Sequence, residues 1–173
     1  MNIKVFGSNK VKALAVSAAI LLAAIPSFAA TTGTLTLTGT VPAVLDISVT
    51  AQPAASTLDL SATISGVSVA SVTERSNRKP GYTVTLHSVN AGSGTTFLFK
   101  SADVTNTDSL AYTLTYGGSP VTLVSGSALI TDATAKTPAA GVTKDLQISY
   151  NGAASFLNQD SYSDTLTFTI TAK

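Results

Sequence analysis

The chain has 173 residues, of which 45% are hydrophobic and 11% charged, with no cysteine or tryptophan and a formal net charge of +1. This length suits a single domain, and the low charge content excludes a charge-rich disordered chain or a coiled coil. Ten basic against nine acidic residues do not supply the positive surface that nucleic-acid binding needs, so no nucleic-acid partner is expected.

Residues 1–29 have the features of a signal peptide. Three lysines precede an apolar run over residues 13–25, and the small residues Ser27 and Ala29 stand where a secretory peptidase needs them. The run is shorter than the roughly 20 apolar residues of a membrane-spanning helix. We therefore predict cleavage after residue 29. The mature protein is expected to be faintly acidic and not membrane-spanning, passing through the periplasm to the cell surface or the extracellular medium.

The mature N-terminus shows the most regular alternation in the chain. Every odd position from Leu35 to Val49 is apolar or glycine, whereas most even positions are polar. Strand side chains alternate between two faces, so the pattern predicts extended chain. It is longer than the usual strand of about 5 to 6 residues, and proline cannot donate to a ladder. Pro42 is therefore predicted to divide an N-terminal arm, residues 30–42, from a domain over residues 43–173 whose first strand covers 44–50.

The rest of the chain predicts an all-β fold. It is rich in threonine, β-branched and aromatic residues, which favour strands. Turn signals separate five further alternating stretches, namely residues 58–64, 82–86, 110–116, 146–150 and 166–170. About ten such strands indicate an antiparallel, Ig-like two-sheet sandwich, with residues 133–141 as a long loop and at most minor helix.

Two segments resemble subunits of the chaperone-usher fimbriae (pilins). The run Gly33-Thr34-Leu35-Thr36-Leu37-Thr38-Gly39-Thr40-Val41 is similar to their N-terminal donor extension. Residues 162–170 resemble the last strand of spore coat protein U-like and archaic fimbrial subunits. The resemblance implies a sandwich that lacks one strand, with a groove filled by the arm of the next subunit. Leu35, Leu37 and Val41 would then enter pockets, and Gly39 would lie where the groove floor comes too close for a side chain.

Two functions remain open at this point. The first is a structural subunit of a cell-surface fibre or pilus, which polymerises by donor-strand exchange. The resemblance gives it neighbouring copies, a periplasmic chaperone and an outer-membrane usher as partners. The second is a monomeric secreted adhesion or carbohydrate-binding module, in which residues 34–41 form an edge strand of their own domain. Both functions produce the same alternation, so the pattern does not decide between them.

Neither catalysis nor a cofactor is expected. The single histidine, His87, falls on the outward phase of a predicted strand, and no second histidine or cysteine provides a catalytic partner or a zinc shell. Calcium ligation by Asp103, Asn106 and Asp108 is an alternative to a plain Asx-rich turn, but the EF-hand spacing is absent. No metal is therefore assigned.

A charged run over residues 74–79 and four aromatic residues each have two interpretations. The run is either a solvated loop or a contact of Arg75, Arg78 and Lys79 with another subunit or an anionic surface. Tyr112 and Tyr116 share a phase with leucines, which favours packing in the core over stacking on sugars. The same prediction holds for the aromatic residues at positions 97 and 99.

Overall fold

The computed structural model describes residues 30–173, so the predicted signal peptide lies outside the described residues. The chain divides into two units, Met1–Gly39 and Thr40–Lys173, and every strand belongs to the second. The elements are β1 (Leu45–Ala51), a 3-10 helix (Pro53–Ser56), β2 (Thr63–Ser76), β3 (Tyr82–Ser88), β4 (Phe97–Ser101), β5 (Ser109–Tyr116), β6 (Ser119–Pro120), β7 (Ser127–Ala133), β8 (Val142–Asn151), β9 (Tyr162–Ser163) and β10 (Leu166–Ala172).

The strands form two antiparallel sheets, which confirms the predicted all-β sandwich. The larger sheet has the order β1-β2-β8-β5-β4-β9, with β6 paired to β5. The smaller sheet has the order β10-β3-β7. The first strand begins at Leu45, one residue from its predicted start, and the loop predicted over residues 133–141 occupies 134–141.

The prediction of a strand over residues 58–64 is wrong for residues 58–62. Strand β2 begins only at Thr63, and residues 57–62 form a turn after the 3-10 helix. Leu58 and Leu60 nevertheless pack against the core, while Asp59 between them accepts hydrogen bonds from the backbone and hydroxyl of Ser61. Two leucines on either side of a turn-capping aspartate therefore imitate the alternation of a strand.

The core lies between the sheets and is formed by the inward phase of the central strands. The alternation predicted it well for β3, β5 and β8, whose inward residues are buried: Tyr82, Val84, Leu86, Leu110, Tyr112, Leu114, Tyr116, Leu146, Ile148 and Tyr150. Phe97 and Phe99 of β4 are also buried, and their ring centroids lie 5.2 Å and 4.5 Å from that of Tyr112. Core packing is thus confirmed for the aromatic residues that the sequence left open.

The interpretation of residues 74–79 as a solvated loop is wrong for the start of the run, at Glu74. Its side chain is completely buried at the end of β2, and Ser76 is buried as well. Within this run only Arg75, on the outer face of β2, and Arg78 and Lys79, in the turn after it, are exposed. The charged run therefore begins inside the sandwich, because the inward phase of β2 continues to its last residue.

A hydrogen-bonded network surrounds the Glu74 carboxylate and connects the two sheets. Tyr116 of β5 and Thr131 of β7 each donate to Oε1 at 2.6 Å, and Tyr82 of β3 donates to Oε2 at 2.9 Å. Lys144 of β8 lies 3.3 Å from the carboxylate and is partly exposed. A buried charge is tolerated only when it is paired and hydrogen-bonded, and these four partners meet that condition.

Glu74→Ala is expected to lower the free energy of unfolding by about 3 to 5 kcal/mol, because it removes the acceptor of two tyrosine hydroxyls and one threonine hydroxyl and the charge partner of Lys144. Urea unfolding followed by circular dichroism measures the loss. Asp46→Ala, which removes an exposed carboxylate from β1, is the control and should change stability by less than about 0.5 kcal/mol. An equal effect of the two substitutions would contradict the role of the network.

The same network makes the fold sensitive to alkali. Burial, followed by the hydrogen bond to Glu74 and the charge of that carboxylate, raises the pKa of Tyr82 from 10.0 to about 12. The same causes raise the pKa of Tyr116. The unfolded chain therefore loses these protons at lower pH than the folded chain, so stability is retained below pH 10 and falls as the pH rises towards 12. Urea midpoints measured across this range should fall, and Tyr82→Phe should flatten the decline.

Candidate functional site

The open edge of the sandwich between β1 and β10 is the most unusual feature of the domain. β1 ends the larger sheet and β10 ends the smaller one. The two strands approach within 8 Å at their Cα atoms, yet β1 pairs with β2, β10 pairs with β3, and no ladder joins the two. Two strand edges therefore face the same side of the molecule with unpaired backbone groups.

The hydrogen-bond alternation shows which groups of β10 are unpaired. Val89 donates its amide to the carbonyl of Thr165, and Lys173 donates to Gly81, so the odd-numbered residues of β10 face β3. In an antiparallel ladder the intervening residues point their N–H and C=O groups the other way. These residues are the apolar ones of the strand, namely Leu166, Phe168, Ile170 and Ala172.

An apolar cavity of about 300 Å³ opens beside this edge. We call it the edge groove, lined by Val49 and Ala51 of β1, Leu166 and Phe168 of β10, and by Ala55, Leu58, Val69, Ala70, Phe99, Tyr112, Leu114, Leu146, Ile148 and Asp164. The apolar side chains on both edges are incompletely covered. Val49 is 48% exposed and Leu45 is 38% exposed, whereas the inward residues of β3 and β5 are buried. The hydrophobic core thus reaches the surface along the edge groove.

Asp164 fixes the start of β10 at one end of the groove. Its Oδ2 accepts hydrogen bonds from Ser88 and Tyr112, both at 2.6 Å, and its Oδ1 accepts from the amides of Asn90 and Thr165. Burial and this carboxylate raise the pKa of Tyr112 well above its ordinary value of 10.0. The edge strand is therefore held in a defined position, although on one side it has no strand partner within residues 30–173.

Asn77 fixes the point where the arm joins the domain. Its Nδ2 donates to the carbonyl of Pro42 at 2.7 Å, and its Oδ1 accepts from the amide of Val44 at 2.8 Å. The amide of Asn77 also donates to the carbonyl of Val44. Residues 42–44 consequently lie against the turn between β2 and β3 before β1 begins.

The residues predicted as donor-strand anchors lie in chain without regular secondary structure. Leu35, Leu37 and Val41 are 83%, 85% and 86% exposed. A Cβ atom built on Gly39 would have no described atom within 4 Å. The roles predicted for these four residues concern a neighbouring copy and stay predictions.

The other candidate residues have individual outcomes. Arg75 donates from Nε to the carbonyl of Ala139, while Arg78 and Lys79 are exposed in the turn after β2. His87 is exposed on the outer face of β3, as predicted, and lies 3.2 Å from the hydroxyl of Ser127.

The segment weighed as a calcium site is a network of turns. Asp103 accepts hydrogen bonds from the backbone and hydroxyl of Thr105, and Asn106 accepts from the amide of Asp108. The described residues contain no group of three or more acidic or histidine side chains arranged to hold a metal ion.

Sequence reasoning missed the edge groove itself and the two carboxylates, Glu74 and Asp164, that organise its surroundings. An edge strand and a central strand share the same alternation, so the sequence of β10 does not show that one of its edges is unpaired. Glu74 did give a signal, because it continues the inward phase of Val72.

No protein-family model matches the chain, and no curated protein is significantly similar to it in sequence. Within residues 30–173, no helix has the length and apolar character needed to cross a membrane.

Amide hydrogen exchange tests the free edge directly. In the monomeric protein, the amides of Leu166, Phe168 and Ile170 should exchange much faster than those of Thr167 and Thr169, because only the threonine amides are bonded to β3. Exchange monitored by two-dimensional NMR gives the ratio for each residue. Strand β3, paired on both sides, is the internal control. Equal protection of the two sets would mean that another segment already covers the edge.

Proposed function

We propose that the protein is a structural subunit of a cell-surface fibre, which polymerises when the arm of one copy, residues 34–41, adds a strand to β10 of the next. The observation that carries the proposal is the free edge of β10 beside an open apolar cavity. Strand addition to an exposed sheet edge is a known mode of recognition, in which backbone bonds give affinity and alternate side chains fill pockets.

The arm and the edge groove are complementary in length and chemistry. The arm offers eight residues of alternating phase, and β10 offers seven. Leu35, Leu37 and Val41 supply apolar side chains for a cavity lined mainly by apolar groups. Burying three such side chains is worth roughly 5 to 9 kcal/mol before the cost of ordering the arm. Ordering the eight residues costs about 1 to 2 kcal/mol each, so the backbone hydrogen bonds to β10 must add to this burial for the subunit contact to be stable.

Chain direction favours donation to a neighbour over insertion into the same domain. The first residue of β1, Leu45, pairs with Ser76, and the last residue of β10, Ala172, pairs with Tyr82. The start of β1 and the end of β10 therefore both lie near the turn between β2 and β3. An arm returning to its own groove would have to reverse within residues 40–44 and run parallel to β10. Asn77 holds Pro42 and Val44, which opposes that reversal. A second copy can instead supply an antiparallel strand, the more stable pairing.

The same open edge supports the other parts of the proposal. A subunit with an unpaired strand edge and an exposed core is prone to aggregate before assembly. A periplasmic chaperone that covers the groove during secretion would prevent this aggregation. The chaperone and an outer-membrane usher are the partners that the resemblance of residues 33–41 to pilin donor extensions implies. In this proposal the fibre is extracellular and the subunit has no catalytic activity.

Substitution of one arm residue tests the proposal. Leu37→Asp should abolish polymerisation, because a carboxylate cannot enter an apolar cavity without a partner. Thr38→Asp is the matched control: it adds the same charge one residue later, on the outward phase, and should leave polymerisation nearly unchanged. Heat-resistant ladders on a gel and negative-stain microscopy of the secreted mature protein measure the result.

A complementation experiment separates donated strands from internal ones. A protein lacking residues 31–41 should remain monomeric, and a synthetic peptide of residues 33–42 added in excess should raise its melting temperature, whereas the Leu37→Asp peptide should not. The proposal fails if the mature protein is monomeric at every concentration, with or without a secretion chaperone, and if removal of the arm unfolds it.

A further inference from the structure

A second cleft, of about 560 Å³, opens between residues 58–61 and residues 152–162. It shares only Leu58 with the lining of the edge groove. One part of its lining is apolar, from Leu60, Leu157 and Tyr162 among others, and the other part is polar. Its volume is in the range of sites that bind small molecules, about 300 to 1,000 Å³.

Phe156 at the rim of this cleft is the most exposed large apolar side chain of the domain, at 100%. Its φ angle is +42°, in the left-handed region that a phenylalanine rarely adopts. Such a conformation is unfavourable by roughly 1 to 3 kcal/mol, and it persists only where the surroundings impose it. The loop therefore displays an aromatic ring to solvent at some cost in stability.

The walls of the cleft are held in place by hydrogen bonds. Gly152 donates its amide to the carbonyl of Ala62 at 2.9 Å, and a Cβ atom at this glycine would lie 1.8 Å from the carbonyl oxygen of Leu60. Only glycine permits this close approach between the two walls. Tyr150 donates to the carbonyl of Asp59 at 3.0 Å, and a further tyrosine, Tyr162, donates to the carbonyl of Asn158.

Two carboxylates of the lining are already oriented. Asp59 uses Oδ1 to accept from Ser61, while its Oδ2 accepts no hydrogen bond from the described residues. Asp160 accepts from Ser101, Asn106 and the amide of Ser161. These hydrogen bonds lower the pKa of both carboxyl groups, so each is ionised at neutral pH. Among the residues that the structure describes, no lysine or arginine lines the cleft.

We propose that this cleft binds a neutral saccharide, with the C–H face of a sugar ring on Phe156 and sugar hydroxyls donating to Asp59 and Asp160. An exposed aromatic ring beside fixed hydrogen-bonding groups suits a ligand that is apolar on one face and polar at its rim. The carboxylates repel sialic acids and uronates. The side-chain amide of Gln159 offers a donor that a polyamine cannot use.

A fibre would carry one such cleft on every copy, which multiplies a weak affinity through avidity. The saccharide proposal does not depend on polymerisation, because all the residues of the cleft belong to one chain.

The first experiment screens the mature protein on an array of neutral and sialylated glycans. Neutral glycans are expected to bind. The strongest neutral hit is then titrated against isotope-labelled protein by NMR, with its sialylated form and spermidine as charged comparators. Chemical shifts should change at residues 156–161. Binding of only sialylated glycans or spermidine, or of no neutral glycan, would overturn the proposal.

Two variants test the assigned contacts. Phe156→Ala and Asp59→Asn should each weaken binding of the neutral glycan by about tenfold or more. Val124→Ala, which truncates another exposed apolar side chain outside the cleft, is the matched control and should bind like the unmodified protein. Phe156 makes no buried contact, so its variant remains folded, and urea unfolding checks this directly. Unchanged affinity in Phe156→Ala would place the ligand elsewhere.

Discussion

A three-stranded sheet cannot cover the whole inner face of a larger one, and the open apolar groove of this domain follows from that mismatch. Strand β3 is joined across the core to β5, in the middle of the larger sheet, through Glu74 and Asp164, and β10 approaches β1 at the edge of that sheet without pairing with it. The face beneath β1, with Val49 and Ala51, is therefore left open to solvent. One more strand beside β10 would pair the free backbone groups and cover the apolar lining at the same time. This is the contact that the proposed donated strand would make.

Two carboxylates hold the sheets together without a disulfide and so permit the open side. Glu74 joins Tyr82, the first residue of β3, to Tyr116 of β5. Asp164 joins Ser88, the last residue of β3, to Tyr112 of the same β5 strand. The central strands of the two sheets are therefore bridged at both ends by charge-assisted hydrogen bonds, which are stronger than neutral ones. With β3 fixed in this way, β10 has a rigid partner on one side and remains available on the other.

The sequence predicted the strands wherever alternation determines them, and it failed where alternation has another origin. For β5 and β8, each inward residue was correct because one face is fully buried and a slip of one residue would reverse it. Leu58 and Leu60 gave a false strand because a turn placed both leucines against the core. The edge groove could not be predicted, because it depends on which strands are neighbours and not on the pattern of any one strand. The proposed saccharide cleft could not be predicted from the sequence for a related reason. Asp59 and Phe156 lie about a hundred residues apart, and the close approach at Gly152 brings their loops together.

The free edge of β10 carries no charged residue that would oppose the addition of another strand. Proteins that stay monomeric usually protect an edge strand with lysine, proline or an inward-pointing charge. Strand β10 contains none of these: its outward residues are Thr167, Thr169 and Thr171, and its inward residues are apolar. Thr169 and Thr171 lie opposite Thr85 and Thr83 of β3, an arrangement that favours the strand without charge. An added strand would therefore meet neither like-charge repulsion nor a missing hydrogen-bond donor along β10. The arm has the same threonine-rich alternation, so the two strands of the proposed contact are both uncharged segments of one sequence.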